Sequence, residues 1–379
     1  MRTTPHIGTR YAVRGTCKRS SAAYRVPSSA YPFFALIIVL SLNAQNADAP
    51  QPQARAAEQI TVERILIDAR VTDAGGDPIL GLTPDDFEVR IDGVRAKVEA
   101  ADWMAETDAA RALADAFATQ PATTGTTAEQ APAGRLFIYF FQTDFGRNNV
   151  RLAGQMSFTS YADEMIDDLE PEDRVCVFSF DSHLKFRSDF IADKRRLKEL
   201  VRESVRIDQP APPPVVANPS VGRKLDPEQM KKCTGPDEAL ILIANAVRAI
   251  PGPKSLILFG WGLGHLTAGQ VVMDRKYPIA RYALETSRVS VFALDFTQAD
   301  WHSLEVGLGK AAADTGGFYA KTYQFPQIAV ERLKKTLEGH YELEVRKPDI
   351  ERKGTHTIEV QVKKKGALVL ARSTYVDRE

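Results

Sequence analysis

Few residues of this chain stand where catalysis could use them. The acids Asp144, Asp181 and Asp295 each lie at the end of a predicted strand, and His265 ends a glycine-rich loop. If the fold brought such groups into one cleft, they could supply acid–base chemistry for a hydrolase with a nonstandard site. The sequence has no His-Glu-x-x-His, no Gly-x-Ser-x-Gly and no Cys/His cluster with zinc spacing. We therefore predict a non-enzymatic protein, with the hydrolase as an alternative.

Two glycine-rich runs resemble nucleotide-binding motifs only superficially. Gly307-Leu-Gly309-Lys310 has no clear preceding strand and fits a helix, whereas a dinucleotide fingerprint needs a strand before its first glycine. The run from Gly260 to Gly264 departs from the fingerprint at His265 and lacks the lysine of a P-loop. The sequence therefore predicts no nucleotide cofactor.

Aromatic and histidine side chains recur in the loops that follow the predicted strands. They are Phe145, Trp261, His265, Trp301 and His302. Trp and Tyr serve disproportionately often as anchors of protein interfaces, so this set predicts a protein-binding patch. The alternative is that one or both tryptophans fill internal space.

These loops belong to an α/β segment, residues 135–339, in which apolar runs alternate with helical patterns. The apolar runs cover 136–141, 175–180, 255–259 and 289–294, and helical spacing recurs over 152–169, 193–205, 236–250, 279–286, 304–313 and 326–337. Such alternation predicts an α/β fold with a doubly wound, mostly parallel sheet covered on both faces. Loops at the carboxyl ends of its strands would then share one edge.

Alternating strand patterns flank this segment on both sides, at 59–103 and 340–379. In the first unit, Thr83-Pro84-Asp85-Asp86 predicts a helical turn with Thr83 as N-cap. Residues 104–134 are rich in Ala and Thr and predict a short helix and a linker. Neither flanking unit has enough strands to bury a core alone, so we predict one β-sandwich-like unit built from both ends.

The N-terminus predicts export. Residues 30–42 (AYPFFALIIVLSL) follow a stretch with six basic and no acidic residues, which is the order of a signal peptide. Thirteen residues are too few for a comfortable membrane span, which needs about 20. A buried core helix is the other alternative. We predict a signal peptide at 1–44, a linker at 45–58, no integral membrane segment after cleavage, and a periplasmic or secreted protein.

Charge and cysteine content narrow the partner class. The chain has 49 basic and 49 acidic residues, and loss of residues 1–44 would leave a net charge of about −6. Nucleic-acid binding needs clustered Lys and Arg, so we predict a protein or cell-envelope partner instead.

Cys176 lies in an apolar run, which favours a buried free thiol over a bridge to Cys233.

Several segments together resemble the von Willebrand factor type A fold, and more narrowly the VWFA-related family of exported bacterial proteins. They are GLTPDDFEV (81–89), LEPEDRVCVFSF (169–180), AIPGPKSLILF (249–259), VFALD (291–295) and ADTGGFY (313–319). Their order and spacing over about residues 60–375 carry the resemblance. It implies an exported binding module whose strand-end loops contact a partner.

The resemblance also implies a place for a divalent cation, which many type A domains hold at the strand ends. The pattern requires Asp-x-Ser-x-Ser after the first strand, a Thr before the third helix and an Asp after the following strand. This chain has Gln142-Thr143-Asp144 at the first position and Gly260-Trp261-Gly262 at the last, while Thr234 matches the Thr. We therefore expect no cofactor at a degenerate site. A weakly bound Mg²⁺ or Ca²⁺ at Asp144 and Thr234, serving cation-dependent adhesion, is the alternative.

Overall fold

A computed structural model of the protein describes residues 63–117, 134–143, 149–206, 208, 210, 213 and 219–377. The predicted signal peptide at 1–44 and the linker at 45–58 lie outside these ranges, as does most of the predicted linker at 104–134. Asp144 and Phe145 also lie outside them.

The described chain contains fifteen strands and eight α-helices. The strands are β1 (Arg64–Thr72), β2 (Phe87–Ile91), β3 (Val94–Ala105), β4 (Leu136–Gln142), β5 (Arg174–Phe180), β6 (Leu184–Ile191), β7 (Lys254–Gly260), β8 (His265–Thr267), β9 (Gln270–Val272), β10 (Val289–Asp295), β11 (Tyr319–Lys321), β12 (Gly339–Arg346), β13 (Thr355–Val362), β14 (Leu368–Ala371) and β15 (Thr374–Val376). The helices are α1 (Asp108–Phe117), α2 (Asn149–Asp167), α3 (Lys194–Ser204), α4 (Pro227–Lys232), α5 (Pro236–Val247), α6 (Tyr277–Thr286), α7 (Glu305–Asp314) and α8 (Pro326–Thr336). No helix in the described ranges is long and apolar enough to cross a bilayer.

Six strands form the α/β sheet in the order β11-β10-β7-β4-β5-β6. All neighbouring pairs are parallel except β5 with β6. The central strands β4 and β7 are buried along their whole length because helices cover both faces. One core packs α5, α6 and α7 against the sheet, and the other packs α2, α3 and α8. The predicted doubly wound, mostly parallel fold is confirmed.

The edge strand β6 was not predicted, because its sequence LKFRSDFI carries three charged residues inside an apolar run. Each of these side chains has a specific partner. The Lys185 ammonium lies 2.5 Å from Asp181, and Arg187 donates to Asp208 at 2.8 Å. Asp189 accepts a hydrogen bond from the backbone N–H of Val221. Pairing of this kind lets charged groups be buried, and no such partner can be read from local periodicity.

The two flanking units form a single antiparallel sheet in the order β14-β1-β12-β3-β2-β13-β15. Strands from both ends alternate in it: Ile67 of β1 pairs with Leu343 of β12, and Ile91 of β2 with Ile358 of β13. The two edge strands, β14 and β15, are consecutive in the chain and two residues apart. The sheet therefore rolls around its own apolar core, so the sandwich-like unit is one curved sheet rather than two facing ones.

The predicted capped turn before β2 is present. Pro84–Asp86 forms a 3-10 turn with Thr83 as N-cap. The backbone N–H of Thr83 donates to the Asp86 carboxylate at 2.7 Å, which lowers the pKa of that carboxyl.

Charged side chains join the rolled sheet to the amino ends of the α/β strands. Arg288, immediately before β10, donates to Asp68 of β1 and, at 2.7 Å, to Glu342 of β12. Nearby, His340 bonds to Glu106 at 2.6 Å. We call this set the amino-end network; with Arg70 it comprises Asp68, Arg70, Glu106, Arg288, His340 and Glu342.

Burial alone would raise the pKa of Asp68, but the charges of His340 and Arg288 hold it below its usual range. The same balance operates at Glu106, where Arg70 and His340 overcome desolvation and lower the pKa. Both acids are therefore ionised and paired, and the network stabilises the contact between the two sheets only while its partners are intact.

Both cysteines of the α/β core are buried free thiols, as the sequence favoured. Burial raises the pKa of Cys176 well above its ordinary value and that of Cys233 to about 12. Neither is poised as a nucleophile, since a reactive cysteine needs a lowered pKa.

Candidate binding edge at the carboxyl ends of the strands

Three strand ends meet at one edge of the α/β sheet. β4 ends at Gln142, β7 at Gly260 and β10 at Asp295, and the register pairs Asp295 with Gly260 on one side and with Lys321 of β11 on the other. Ligands of doubly wound sheets bind at such an edge, near the reversal of strand order. The chemistry of these termini therefore decides what the edge can bind.

Gln142 ties the end of β4 to the loop after β7. Its amide nitrogen donates to the carbonyl of Gly262 at 2.8 Å, and its amide oxygen accepts from the backbone N–H groups of Trp261 at 3.1 Å and Gly262 at 3.3 Å. A Cβ added at Gly260 would lie 3.0 Å from the same amide oxygen, which explains a glycine there. One neutral, buried amide thus satisfies the backbone at this strand end.

The expected cation position has no carboxylate among these groups. Gln142 is neutral and fully engaged, and Thr143 donates its hydroxyl to the carbonyl of Ser204 at 2.8 Å. Thr234, the residue matched to the type A threonine, is exposed, and its N–H donates to Glu238. The N-cap of α5 is Gly235, one residue after Thr234. Asp144, the other predicted ligand, lies outside the described residues.

Trp261 is a packing residue in this structure. Its side chain is partly buried against the core under α2 and α8, and the Arg151 guanidinium stacks over its ring at 3.8 Å from the centroid. Its indole nitrogen is buried without a hydrogen-bond partner. Of the two readings that the sequence left open, the space-filling one describes Trp261.

Trp301 behaves in the opposite way, with 68% of the residue exposed. His265 is exposed as well, at the start of the β8–β9 hairpin that projects beyond β7. Phe145 lies outside the described residues. The predicted binding set is therefore divided: Trp301 and His265 are exposed, and Trp261 is only partly exposed.

Two further exposed aromatics were missed from the sequence. Phe325 is 62% exposed and Tyr323 is 44% exposed, both in the loop after β11. This loop is tied to the Trp301 loop, because the Gln324 amide donates to the Asp300 carboxylate at 2.8 Å. We call Trp301, Tyr323 and Phe325 the carboxyl-end patch. The signal that could have found it is the position of Tyr323 and Phe325 after the last parallel strand.

Asp295 is not paired with His265, as the hydrolase alternative would require. It pairs with His302, whose ring nitrogen Nε2 lies 2.6 Å from Asp295 Oδ2, and it accepts from the Tyr319 hydroxyl at 2.9 Å. Burial would raise the pKa of Asp295, but the hydrogen bonds from His302 and the Thr297 N–H lower it. Burial beside this carboxylate raises the pKa of Tyr319.

The remaining acid of the hydrolase alternative, Asp181, is held by Lys185 and by the backbone N–H of Ser182. Asp181 and Asp295 thus have separate partners, and neither is paired with His265. The run from Gly307 to Lys310 lies inside α7, as predicted. A Cβ on Gly307 would come within 2.1 Å of the Leu263 carbonyl oxygen, so this glycine serves close packing of α7 on the β7 loop.

No protein-family model matches the sequence, and no curated protein matches it. Among solved structures, this chain is similar to proximal thread matrix protein 1 of the mussel byssus (14% identity, 55% of this chain and 49% of that chain, TM-score 0.37). It is also similar to a von Willebrand factor type A protein from Catenulispora acidiphila (10% identity, 84% of this chain and 75% of that chain, TM-score 0.38). A third similar structure is the vWF domain of the type V pilus tip protein Mfa5 from Porphyromonas gingivalis (11% identity, 55% of this chain and 96% of that chain, TM-score 0.35).

The match spans about half the length of the mussel protein. Likenesses at this level transfer no activity, partner or metal site, and the fold assignment stands on the sheet itself. Numbered within the α/β sheet, the strands follow the doubly wound order 3-2-1-4-5-6, with the third strand antiparallel at one edge. This chain therefore has a von Willebrand factor type A-like α/β fold.

Proposed function

We propose that this protein is an exported, non-enzymatic binding module that contacts a protein or cell-envelope partner through the strand-end loops of its type A-like domain. The observation that carries the proposal is the carboxyl-end patch, in which Trp301 and Phe325 are each more than 60% exposed on two loops tied together.

Large aromatic side chains at such exposure favour a binding role. A buried Trp or Phe removes 150–250 Å² of surface from water, and tryptophan is enriched among the residues that dominate interface energies. Both loops of the patch follow strands of the six-stranded sheet, β10 and β11, which hold their starting points in place. A rigid platform lowers the entropy lost when a partner binds.

The patch differs from the one expected from sequence. We place Tyr323 and Phe325 in it because they are exposed, and we leave out Trp261, which is partly buried; His265 lies on the hairpin after β7. Export remains part of the proposal on the strength of the basic and apolar N-terminal sequence, which lies outside the described residues.

Cation-dependent adhesion at the usual type A position is the weaker alternative, since Gln142 supplies neither charge nor a free ligand there. If EDTA and added Mg²⁺ both leave the melting temperature unchanged, that alternative fails. The hydrolase alternative is weakened by the separate pairing of Asp181 with Lys185 and of Asp295 with His302.

Affinity capture from envelope extract tests the proposal, with the recovery of each captured component quantified for wild type and variants. Trp301→Ala and Phe325→Ala should each reduce recovery of the same component by at least about tenfold, as expected for interface anchors. Val94→Ala is the matched control, because Val94 is 48% exposed at the first residue of β3 in the rolled sheet. If Trp301→Ala and Phe325→Ala recover as much of every component as Val94→Ala does, this patch has no role in binding.

A further inference from the structure

A histidine and two carboxylates converge beside the carboxyl-end patch. Asp295 ends β10, His302 lies in the following loop, and Glu305 begins α7. One ligand atom from each residue lies within 4.8 Å of the other two. The loop between them is fixed by the hydrogen bond from the His302 N–H to the Glu305 carboxylate at 3.2 Å.

One side chain of this group is buried, and the other two reach solvent. The side chain of Asp295 is 2% exposed, whereas those of His302 and Glu305 are 17% and 16% exposed. The Tyr319 hydroxyl orients the Asp295 carboxylate by donating to it at 2.9 Å. A metal ligand is commonly held by an outer hydrogen bond of this kind.

The Thr297 hydroxyl lies beside the Asp295 carboxylate. Its residue is 93% buried, and the hydroxyl helps to lower the pKa of that carboxyl as a weak hydrogen-bond donor. The contact falls short of full hydrogen-bond geometry, so a water molecule on a bound ion would complete the pairing of this hydroxyl.

We propose that Asp295, His302 and Glu305 bind a divalent transition-metal ion, with Zn²⁺ as the best fit. One imidazole nitrogen and two carboxylate oxygens match the ligand types of zinc, and three protein ligands leave a fourth tetrahedral position for water. Mg²⁺ and Ca²⁺ prefer all-oxygen sites, so they fit this set less well.

This site is distinct from the cation position of the type A pattern. That pattern draws on the ends of β4 and β7 and on the segment before α5, whereas Asp295, His302 and Glu305 belong to β10 and to the segment that leads into α7. The inference does not depend on the partner proposed above, because metal binding can be measured on the isolated chain.

Lys321 competes with the ion for one ligand. Its ammonium lies 2.9 Å from Glu305 and also donates to the carbonyl of Asp300. The ammonium shares the Glu305 carboxylate with a bound ion and repels that ion, and Lys321 can move away because its side chain is 37% exposed. The ammonium therefore lowers metal affinity without blocking the site.

A second histidine–carboxylate group, Asp68 with His340 and Glu342, fits an ion less well. There the Arg288 guanidinium donates to both carboxylates, and the His340 side chain is only 3% exposed. An ion would have to displace a two-carboxylate arginine contact inside the molecule.

Titration calorimetry of the full chain with ZnCl₂ tests the proposal. Wild type should bind one equivalent, and His302→Ala and Glu305→Gln should each weaken binding by at least about a hundredfold, more than the 10–100-fold typical of an outer-shell change. His265→Ala, at an exposed histidine of the same edge, should bind as wild type does. No saturable binding to wild type, or unchanged binding to His302→Ala, would overturn the proposal.

The variant Lys321→Met separates a metal site from a purely structural ion-pair cluster. Removing the competing ammonium should tighten Zn²⁺ binding by about tenfold, because its positive charge no longer opposes the ion at Glu305. Unchanged or weaker binding would refute the proposed coordination. Should His302→Ala fail to fold, Co²⁺ spectra of folded Glu305→Gln and Lys321→Met still decide: tetrahedral bands must be lost in the first and kept in the second.

Discussion

The two ends of the α/β strands use polar chemistry in opposite ways. At the amino ends, the amino-end network encloses charges between two sheets, and Arg70 is 1% and His340 2% exposed. At the carboxyl ends, Glu305 and His302 reach solvent, and Trp301 is 68% exposed. Charged groups thus lie inside at one end, while aromatic groups lie outside at the other.

Charged clusters affect stability according to how far the fold encloses them. Enclosed charges are tied to stability, because loss of one partner leaves another uncompensated in a medium that solvates it poorly. Open charges and exposed aromatics contribute little to stability, so their removal should leave the free energy of unfolding nearly unchanged. The comparison therefore predicts large stability effects at the amino ends and small ones at the carboxyl ends.

The largest effect should follow from Arg288→Ala. The substitution leaves Asp68 and Glu342 side by side without their guanidinium partner, and breaking such a pair typically costs about 3–5 kcal/mol. Chemical denaturation at neutral pH should show a loss of the free energy of unfolding of about 3 kcal/mol, the lower end, because Arg288 is 28% exposed.

Arg64→Ala is the matched control, since Arg64 also contacts two acids of the rolled sheet, Glu99 and Glu344, but is 59% exposed. Arg64→Ala should lower the free energy of unfolding much less than Arg288→Ala does. Equal losses for the two arginines would remove the distinction between enclosed and open charges.

A pH-dependent effect of about 3 kcal/mol is expected at Glu285, which accepts a hydrogen bond from Thr374 of the rolled sheet. Burial raises the pKa of Glu285 from 4.5 to about 7. Between these values the unfolded chain loses a proton that the folded chain keeps, so the free energy of unfolding falls as pH rises from 4.5 to 7. Glu285→Gln removes this dependence and keeps the acceptor oxygen.

The difference in the free energy of unfolding between Glu285→Gln and wild type should therefore rise by roughly 3 kcal/mol across that interval, at about 1.4 kcal/mol per pKa unit. Denaturation curves at pH 4.5, 5.5, 6.5 and 7.5 measure it. Parallel pH profiles for the two proteins would show that Glu285 is ionised in the folded state and that the contact between the sheets is less enclosed than the structure indicates.

Gln142→Met tests whether a neutral bridge at the carboxyl end resembles the enclosed network. Methionine keeps the length of the side chain but leaves two N–H groups and one carbonyl of the β7 loop unpaired, which should cost about 2 kcal/mol. Urea denaturation measures the loss. A change below about 0.5 kcal/mol would mean that water replaces the amide and that this strand end is open.

The fold could be predicted because it depends on local periodicity. The buried runs of β4, β5, β7 and β10 and the helices between them are visible in the spacing of apolar residues, and their ends differ from prediction by a few residues. β6 was missed because Lys185 and Arg187 interrupt the pattern, and their partners come from sequence-distant or turn positions. Tertiary pairing overrides periodicity at that edge.

The site could be predicted only in part, because exposure is not a property of residue type. Trp261 and Trp301 are equal candidates by sequence, and Arg151 and the surrounding core decide that the first is covered. Likewise, Asp295 and His302 were noticed separately, but their 2.6 Å contact depends on the loop that joins them and on Glu305. The distances between loops are fixed by the sheet, not by spacing in the chain.

The smallest effect on the free energy of unfolding should follow from Trp301→Ala. A surface substitution that breaks no buried contact usually changes the free energy of unfolding by less than about 0.5 kcal/mol, so the melting curve should match that of wild type. Trp261→Ala, by contrast, empties a partly buried position and should lower stability measurably, although both variants remove an indole from the same edge. If Trp301→Ala destabilises the fold as much as Trp261→Ala does, the exposed ring is a structural element and the carboxyl-end patch has no separate claim to a partner. If only Trp261→Ala does, the Trp301 ring contributes nothing to stability, and it is free to contact a partner.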